Sequence, residues 1–110
     1  MEDAVDLAEH RRQLRDEARR AAEDPAVAWE LRIGRPDLHR MYDDGGLVDV
    51  NHVPPHVLAS LPGMTPDLVY RVAGVRAECG GFSSVEEMSA LAQLPPALTK
   101  QLGEYAIFLP

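Results

Sequence analysis

At 110 residues the chain is one domain with room for a short appendage, and its 45% hydrophobic content is ordinary for a globular protein. Its apolar runs fall far short of the roughly 20 residues that a membrane span requires. The formal net charge of −7 is spread along the chain, with 8 basic and 12 acidic residues in 1–48 and 3 and 6 in 49–110, so neither part carries the basic footprint of a duplex binder.

The first residues, Met1-Glu2-Asp3, are acidic where a secretory n-region would be basic. The single cysteine, Cys79, rules out an internal disulfide framework and fits a reducing compartment. A cytoplasmic protein is expected, attached to a membrane only as part of a larger one. Arg outnumbers Lys ten to one and Ala and Pro are plentiful, a bias typical of GC-rich bacterial genomes. With two Phe, one Trp and three Tyr, the core must be built mainly from Leu, Val and Ala.

Residues 3–23 read as a polar helix in which Leu7, Leu14 and Ala21 recur at seven, with Ala18 between them. Asp3 and Asp6 suit its positive N-terminus, and Arg19 and Arg20 its negative end. The apolar stripe is thin. It suits a solvated helix resting one weak face on the domain, or a short coiled-coil-like pairing of two copies. A membrane-surface role for Arg11, Arg12, Arg15, Arg19 and Arg20 is interrupted by Glu9, Asp16 and Glu17.

Asp24-Pro25 opens a second, short helix, with Asp as N-cap and Pro where its missing N–H costs nothing. It should run to Arg32 or Ile33 and stop at Gly34, burying Val27, Leu31 and Trp29. The turn-rich stretch from Arg35 to Leu47 predicts an ordered loop anchored by Leu38, Tyr42 and Leu47. Four short helices follow. They start at Pro55, at Thr65-Pro66, at the Ser84/Glu87 capping box and at Pro96, and an extended apolar tail covers Tyr105 to Leu109.

Within this region stand Val48-Asp49-Val50-Asn51, then Leu61-Pro62-Gly63-Met64-Thr65-Pro66, Arg76, Gly80-Gly81-Phe82-Ser83-Ser84-Val85-Glu86-Glu87, and Leu91 to Leu98. In order and spacing these resemble the tandem helix-hairpin-helix domain of the ComEA type, found in DNA-uptake receptors and in the extrinsic PsbU subunit of photosystem II. The resemblance covers about 60 of the 110 residues. It implies an all-α fold: a tandem helix-hairpin-helix (SAM-like) domain over 48–110, preceded over 1–47 by a long polar helix, a short capping helix and an ordered loop.

Each hairpin of that family places Gly-hydrophobic-Gly between two helices. The hydrophobic residue plugs the core, and N–H groups at the next helix start hold a backbone phosphate. Such contacts position a protein without reading bases. Here the first hairpin is Gly63-Met64-Thr65, with Thr65 in place of the second glycine. Its hydroxyl competes with a phosphate for a first-turn N–H, and Asp67 brings a negative charge. Arg71 and Arg76 complete the candidate phosphate- or partner-binding set. The second hairpin is degenerate: Gln93-Leu94-Pro95 replaces the motif, and Pro95 and Pro96 carry no N–H to donate.

Other constellations are weak. Pro54-Pro55 separates His52 from His56, leaving no zinc set, and Asp43, Asp44 and Asp49 do not follow a calcium loop. Cys79 has no histidine beside it in sequence, and Ser60, Ser83 and Ser84 lie in no nucleophile motif. The reading is a non-catalytic interaction module without cofactor, metal or small-molecule substrate. It binds another protein, or itself through the N-terminal helix; the alternative is weak, sequence-independent binding of the DNA backbone through the first hairpin.

Overall fold

A computed structural model describes residues 4–110 of the chain. Asp3, assigned above to the first helix turn, lies outside the described residues. The described residues are mostly helical. They form six α-helices: α1 (Ala4–Ala21), α2 (Pro25–Leu31), α3 (Pro55–Leu58), α4 (Pro66–Cys79), α5 (Val85–Leu91) and α6 (Thr99–Tyr105). A 3₁₀ turn, Pro96–Leu98, leads into α6, and two short strands, β1 (Val48–Asp49) and β2 (Ala106–Ile107), complete the list. No described helix is long and apolar enough to cross a membrane.

Side-chain capping sets three of the six helix starts. The Asp24 carboxylate accepts from the Ala26 N–H, Thr65 Oγ1 from the Leu68 N–H and Ser84 Oγ from the Glu87 N–H. Each satisfies a donor that the first turn leaves without an intrahelical partner. Glu87 reaches back to the Ser83 N–H at 3.0 Å, a variant of the capping box in which the return bond falls one residue early. α2 stops before the expected glycine. Its C-cap is Arg32, held at φ +56°, and its N–H bonds the carbonyls of Ala28 and Trp29.

Two apolar clusters divide at Leu47 and Val48. The first gathers Ala18, Ala22, Ala28, Ile33 and Leu47. The second gathers Val50, Val53, Leu58, Val72, Met88, Leu94 and Leu102 among others. Within the second, α3 packs on α4 and α5 on α6. The strands join N-terminal and C-terminal chain: β1 and β2 run parallel, Val48 opposite Ala106 and Asp49 opposite Ile107. Ile107 and Leu109 pack against the first cluster, so the tail seals the boundary between the two.

Three side chains expected elsewhere differ for clear physical reasons. Trp29 is 77% exposed, because Ala28 is the α2 residue facing the core. Met64, the expected core plug, is half-buried at the edge of the second cluster, whereas Leu94 is 6% exposed and lies within it. The buried residues of α1 are Arg15 and Ala18, with Ala22 just beyond its end, while Leu7 stays exposed. An arginine therefore occupies a position where only apolar side chains were sought.

Candidate functional site

The first hairpin turns at Gly63, whose φ of +75° is open to glycine at no steric cost. A Cβ there would stand 2.5 Å from Leu98 Cδ2, so the turn lies close against the second hairpin. Thr65 then caps α4, which uses the Leu68 N–H, and Pro66 offers none. Asp67 is exposed at the same helix end, and its carboxylate binds Arg71 Nη2 at 2.9 Å. Arg71 Nη1 donates to the Gln93 carbonyl, also at 2.9 Å.

The cation expected to meet a phosphate is thus neutralised by its own helix and tied to the second hairpin. Arg76 is placed differently again. It is half-buried, and its Nη1 donates to the carbonyls of Val50 and Val53 at 2.9 and 2.6 Å. Gly63, Met64 and Thr65 form the turn into α4, which carries Arg71; Arg76 serves the loop between β1 and α3.

Gln93, Leu94, Pro95 and Pro96 form the second turn. Gln93 stands at φ +55°, in the left-handed region that glycine takes up freely. Leu94 is buried, with its N–H on the Ser89 carbonyl. The prolines then start the 3₁₀ turn with no side-chain cap.

Sequence reasoning quoted Asn51 as part of a signature but assigned it no task. Its Nδ2 donates to the carbonyls of Phe82 and Leu109 at 2.8 and 2.9 Å, and its Oδ1 accepts from the Phe82 N–H at 2.7 Å. One side chain thereby joins β1, the α4–α5 loop and the tail. Beside it, Asp49 is 2% exposed and accepts from the Asn51 and Leu109 N–H groups. It also pairs with His52 Nδ1 at 2.6 Å. Burial raises the Asp49 carboxyl above its ordinary pKa against the opposing pull of His52.

The clearest unfilled surface near the hairpins lies between α4 and the end of α5. Tyr70, 80% exposed, and Leu91, 50% exposed, flank Ala73, Gly74 and Val75 in an open groove that ends at Arg71 and Gln93. Among the described residues no group of three His, Cys, Asp or Glu side chains could hold a metal ion. Cys79 is exposed, with Sγ 3.4 Å from the Gly81 carbonyl.

Comparison with known proteins brings no relative: no family model matches the chain, and neither a curated protein nor a solved structure does so.

Proposed function

We propose that the chain is a non-catalytic, helix-hairpin-helix-type interaction module that binds another protein. The observation carrying this reading is the groove where Tyr70 and Leu91 stand exposed beside Gly74, at which an added Cβ would meet nothing within 4 Å. Exposed aromatic and apolar side chains around an open backbone suit a partner's side chains. The commitment of Arg71 to Asp67 and Gln93 supports it too, because it removes the cation that DNA binding would use.

Selection of peptides from a random library on the wild-type protein, with a Tyr70→Asp/Leu91→Asp double variant as counter-selection, tests the reading. Enriched peptides should bind the wild type at least about tenfold tighter than the variant, a difference of about 1.4 kcal/mol. Absence of enrichment, or equal binding to both, would sink it. Self-association would instead run through the N-terminal helix, where Leu7 stays exposed, and sedimentation equilibrium would show a dimer that Leu7→Asp loses and the double variant keeps.

A second reading keeps one specific observation: the tight Gly63 turn delivers the chain directly into the N-terminus of α4. On that reading the protein holds duplex DNA by its backbone. Anisotropy of a labelled generic duplex should then show salt-sensitive binding that Arg71→Glu abolishes. With so few contacts available, binding at physiological salt should be no tighter than roughly 10⁻⁴ M.

A further inference from the structure

A second cavity, of about 360 Å³, lies away from the hairpins, between α2 and the tail. Ala28 and Ile33 form its apolar base, Leu38 and Leu109 are further apolar walls, and the exposed Trp29 indole lines it as well. Its charged lining is Arg32, Arg35 and Asp49, with His52 beside them. Arg35 is paired with Asp37 at 2.9 Å, so Arg32 and Asp49 are the charges that decide what this lining accepts.

The pairing within the lining decides what the cavity can accept. The Asp49 carboxylate is fully engaged by His52 Nδ1 and the N–H groups of Asn51 and Leu109. Arg35 gives Nε and Nη2 to Asp37 at 3.1 and 2.9 Å. Arg32, by contrast, uses only Nη1, on the His39 carbonyl at 2.6 Å. Its Nε and Nη2, His52 Nε2 and the Trp29 indole N–H have no partner among the described residues.

What remains unspent is therefore a guanidinium edge, an imidazole nitrogen and an indole N–H around an apolar base. A cation would meet the free edge of Arg32 and a carboxylate already in use. An uncharged apolar molecule would strip water from the guanidinium and return nothing. A carboxylate gives Arg32 a charge-assisted partner, and an aromatic body fits beside the Trp29 ring.

From this geometry we infer that the cavity binds a small aromatic monocarboxylate. Its volume is near the lower end of ligand pockets, which run from about 300 to 1,000 Å³, and suits a single-ring acid. The site neither uses nor needs the Tyr70 groove, and it stands whether or not that groove binds protein.

Trp29 is the chain's only tryptophan, so its emission reports on this cavity directly. Hydrocinnamate, its carboxamide and phenylpropylamine are titrated into the full chain at neutral pH. Hydrocinnamate should change the emission saturably, with a Kd on the order of a millimolar or tighter. The carboxamide should bind at least about tenfold more weakly, and the amine should not saturate.

Arg32→Gln, checked for an unchanged circular dichroism spectrum, should weaken hydrocinnamate about tenfold and leave the carboxamide unaffected. Amide and indole NMR shifts of the unaltered protein, independent of any variant's folding, should concentrate at Trp29, Arg32 and His52. Absence of saturation, equal affinity for the three probes, or shifts centred elsewhere would overturn the inference. A peptide with a C-terminal Phe carboxylate that binds where hydrocinnamate fails would overturn it in favour of a protein terminus as occupant.

Discussion

The guanidinium carbon of Arg15 lies 4.5 Å from the centroid of the Tyr105 ring, joining α1 to the last turn of α6 across 90 positions of sequence. The side chain is 4% exposed. Its Nη1 donates to the Gly45 carbonyl at 3.1 Å and its Nη2 to Glu104 Oε1 at 2.7 Å, while its Nε is buried without a partner. Arg19 extends the contact by donating to the carbonyls of Gly103 and Glu104, near the negative end of α6. The first helix is therefore held by arginines rather than by a leucine stripe.

Arg15→Ala should consequently destabilise the whole domain, by about 2–3 kcal/mol, because it leaves the buried Gly45 carbonyl without its donor and takes from Glu104 the shorter of its two arginine bonds. Arg15→Lys should recover only part of the loss, since an ammonium cannot serve both acceptors and the ring with one planar group. Gly45→Ala should be at least as damaging. Its φ is +76°, and the new Cβ would stand 2.7 Å from the Arg11 carbonyl oxygen and 2.8 Å from the Arg15 nitrogen. Urea denaturation followed by circular dichroism measures all three. A variant retaining wild-type stability would show that α1 only rests on the domain.

Gln93 offers a change in the opposite direction. Its backbone is left-handed at φ +55° and its side chain forms no hydrogen bond among the described residues, while the carbonyl receives Arg71. Gln93→Gly should stabilise the fold by about 0.5–1 kcal/mol, because relief of the left-handed conformation outweighs the extra freedom of the unfolded chain. A rise in the urea midpoint at unchanged slope is the expected result. A fall would show that the side chain contributes packing that outweighs the strain.

Legibility in the sequence followed the range of the interaction. Helix starts at Pro25, Pro66 and Ser84 could be read because each depends on neighbours within one turn. The parallel pairing of Val48 with Ala106 could not, since short apolar runs name no partner. Arg15 looked like one solvated charge among five arginines on the first helix, as its acceptors lie 30 and 89 positions away. Nor could the cavity under Trp29 be found, because its lining comes from α2, the following loop, β1 and the tail. The hairpin set was partly legible: Gly63 and Thr65 behave as turn and cap, but only the fold shows Arg71 reaching Gln93 and Arg76 turning to Val50 and Val53.

Acid should destabilise the protein, with Asp49 resisting the trend. Asp37 is held below its ordinary pKa by hydrogen bonds from Arg35, and Asp43 by the Gly45 N–H with Arg11 beside it. Glu104 is lowered as well: burial pushes it up, but the bonds from Arg15 and Arg12 prevail. Such lowered groups give stability that is present above the unfolded pKa and lost as pH falls through the folded one. Asp49 is raised, so its ionisation costs stability as pH rises, and its protonation returns that stability below the ordinary carboxylate range. Asp49→Asn should therefore make the loss between neutral and acidic pH larger than in the wild type, whatever its effect at neutrality. Equal losses in paired urea titrations would remove Asp49 from the balance.

Leu94 and Met64, one beside each turn, should differ in energetic weight. Leu94 is 6% exposed and sits in the core with Met88 and Leu102, whereas Met64 packs on that core only in part. Truncating a fully buried leucine removes its transfer energy and leaves a cavity, so Leu94→Ala should cost about 2–4 kcal/mol. Met64→Ala removes a half-exposed, flexible side chain whose neighbours and solvent can close the gap, and should cost about 1 kcal/mol. The turn at Gln93-Leu94-Pro95 would then be the stronger structural anchor, although its prolines offer no N–H. Denaturation of both variants under one set of conditions decides the order. A larger loss for Met64→Ala would mean that the first hairpin closes over Met64 more tightly than its exposure indicates, and would return the principal plug to Gly63-Met64-Thr65.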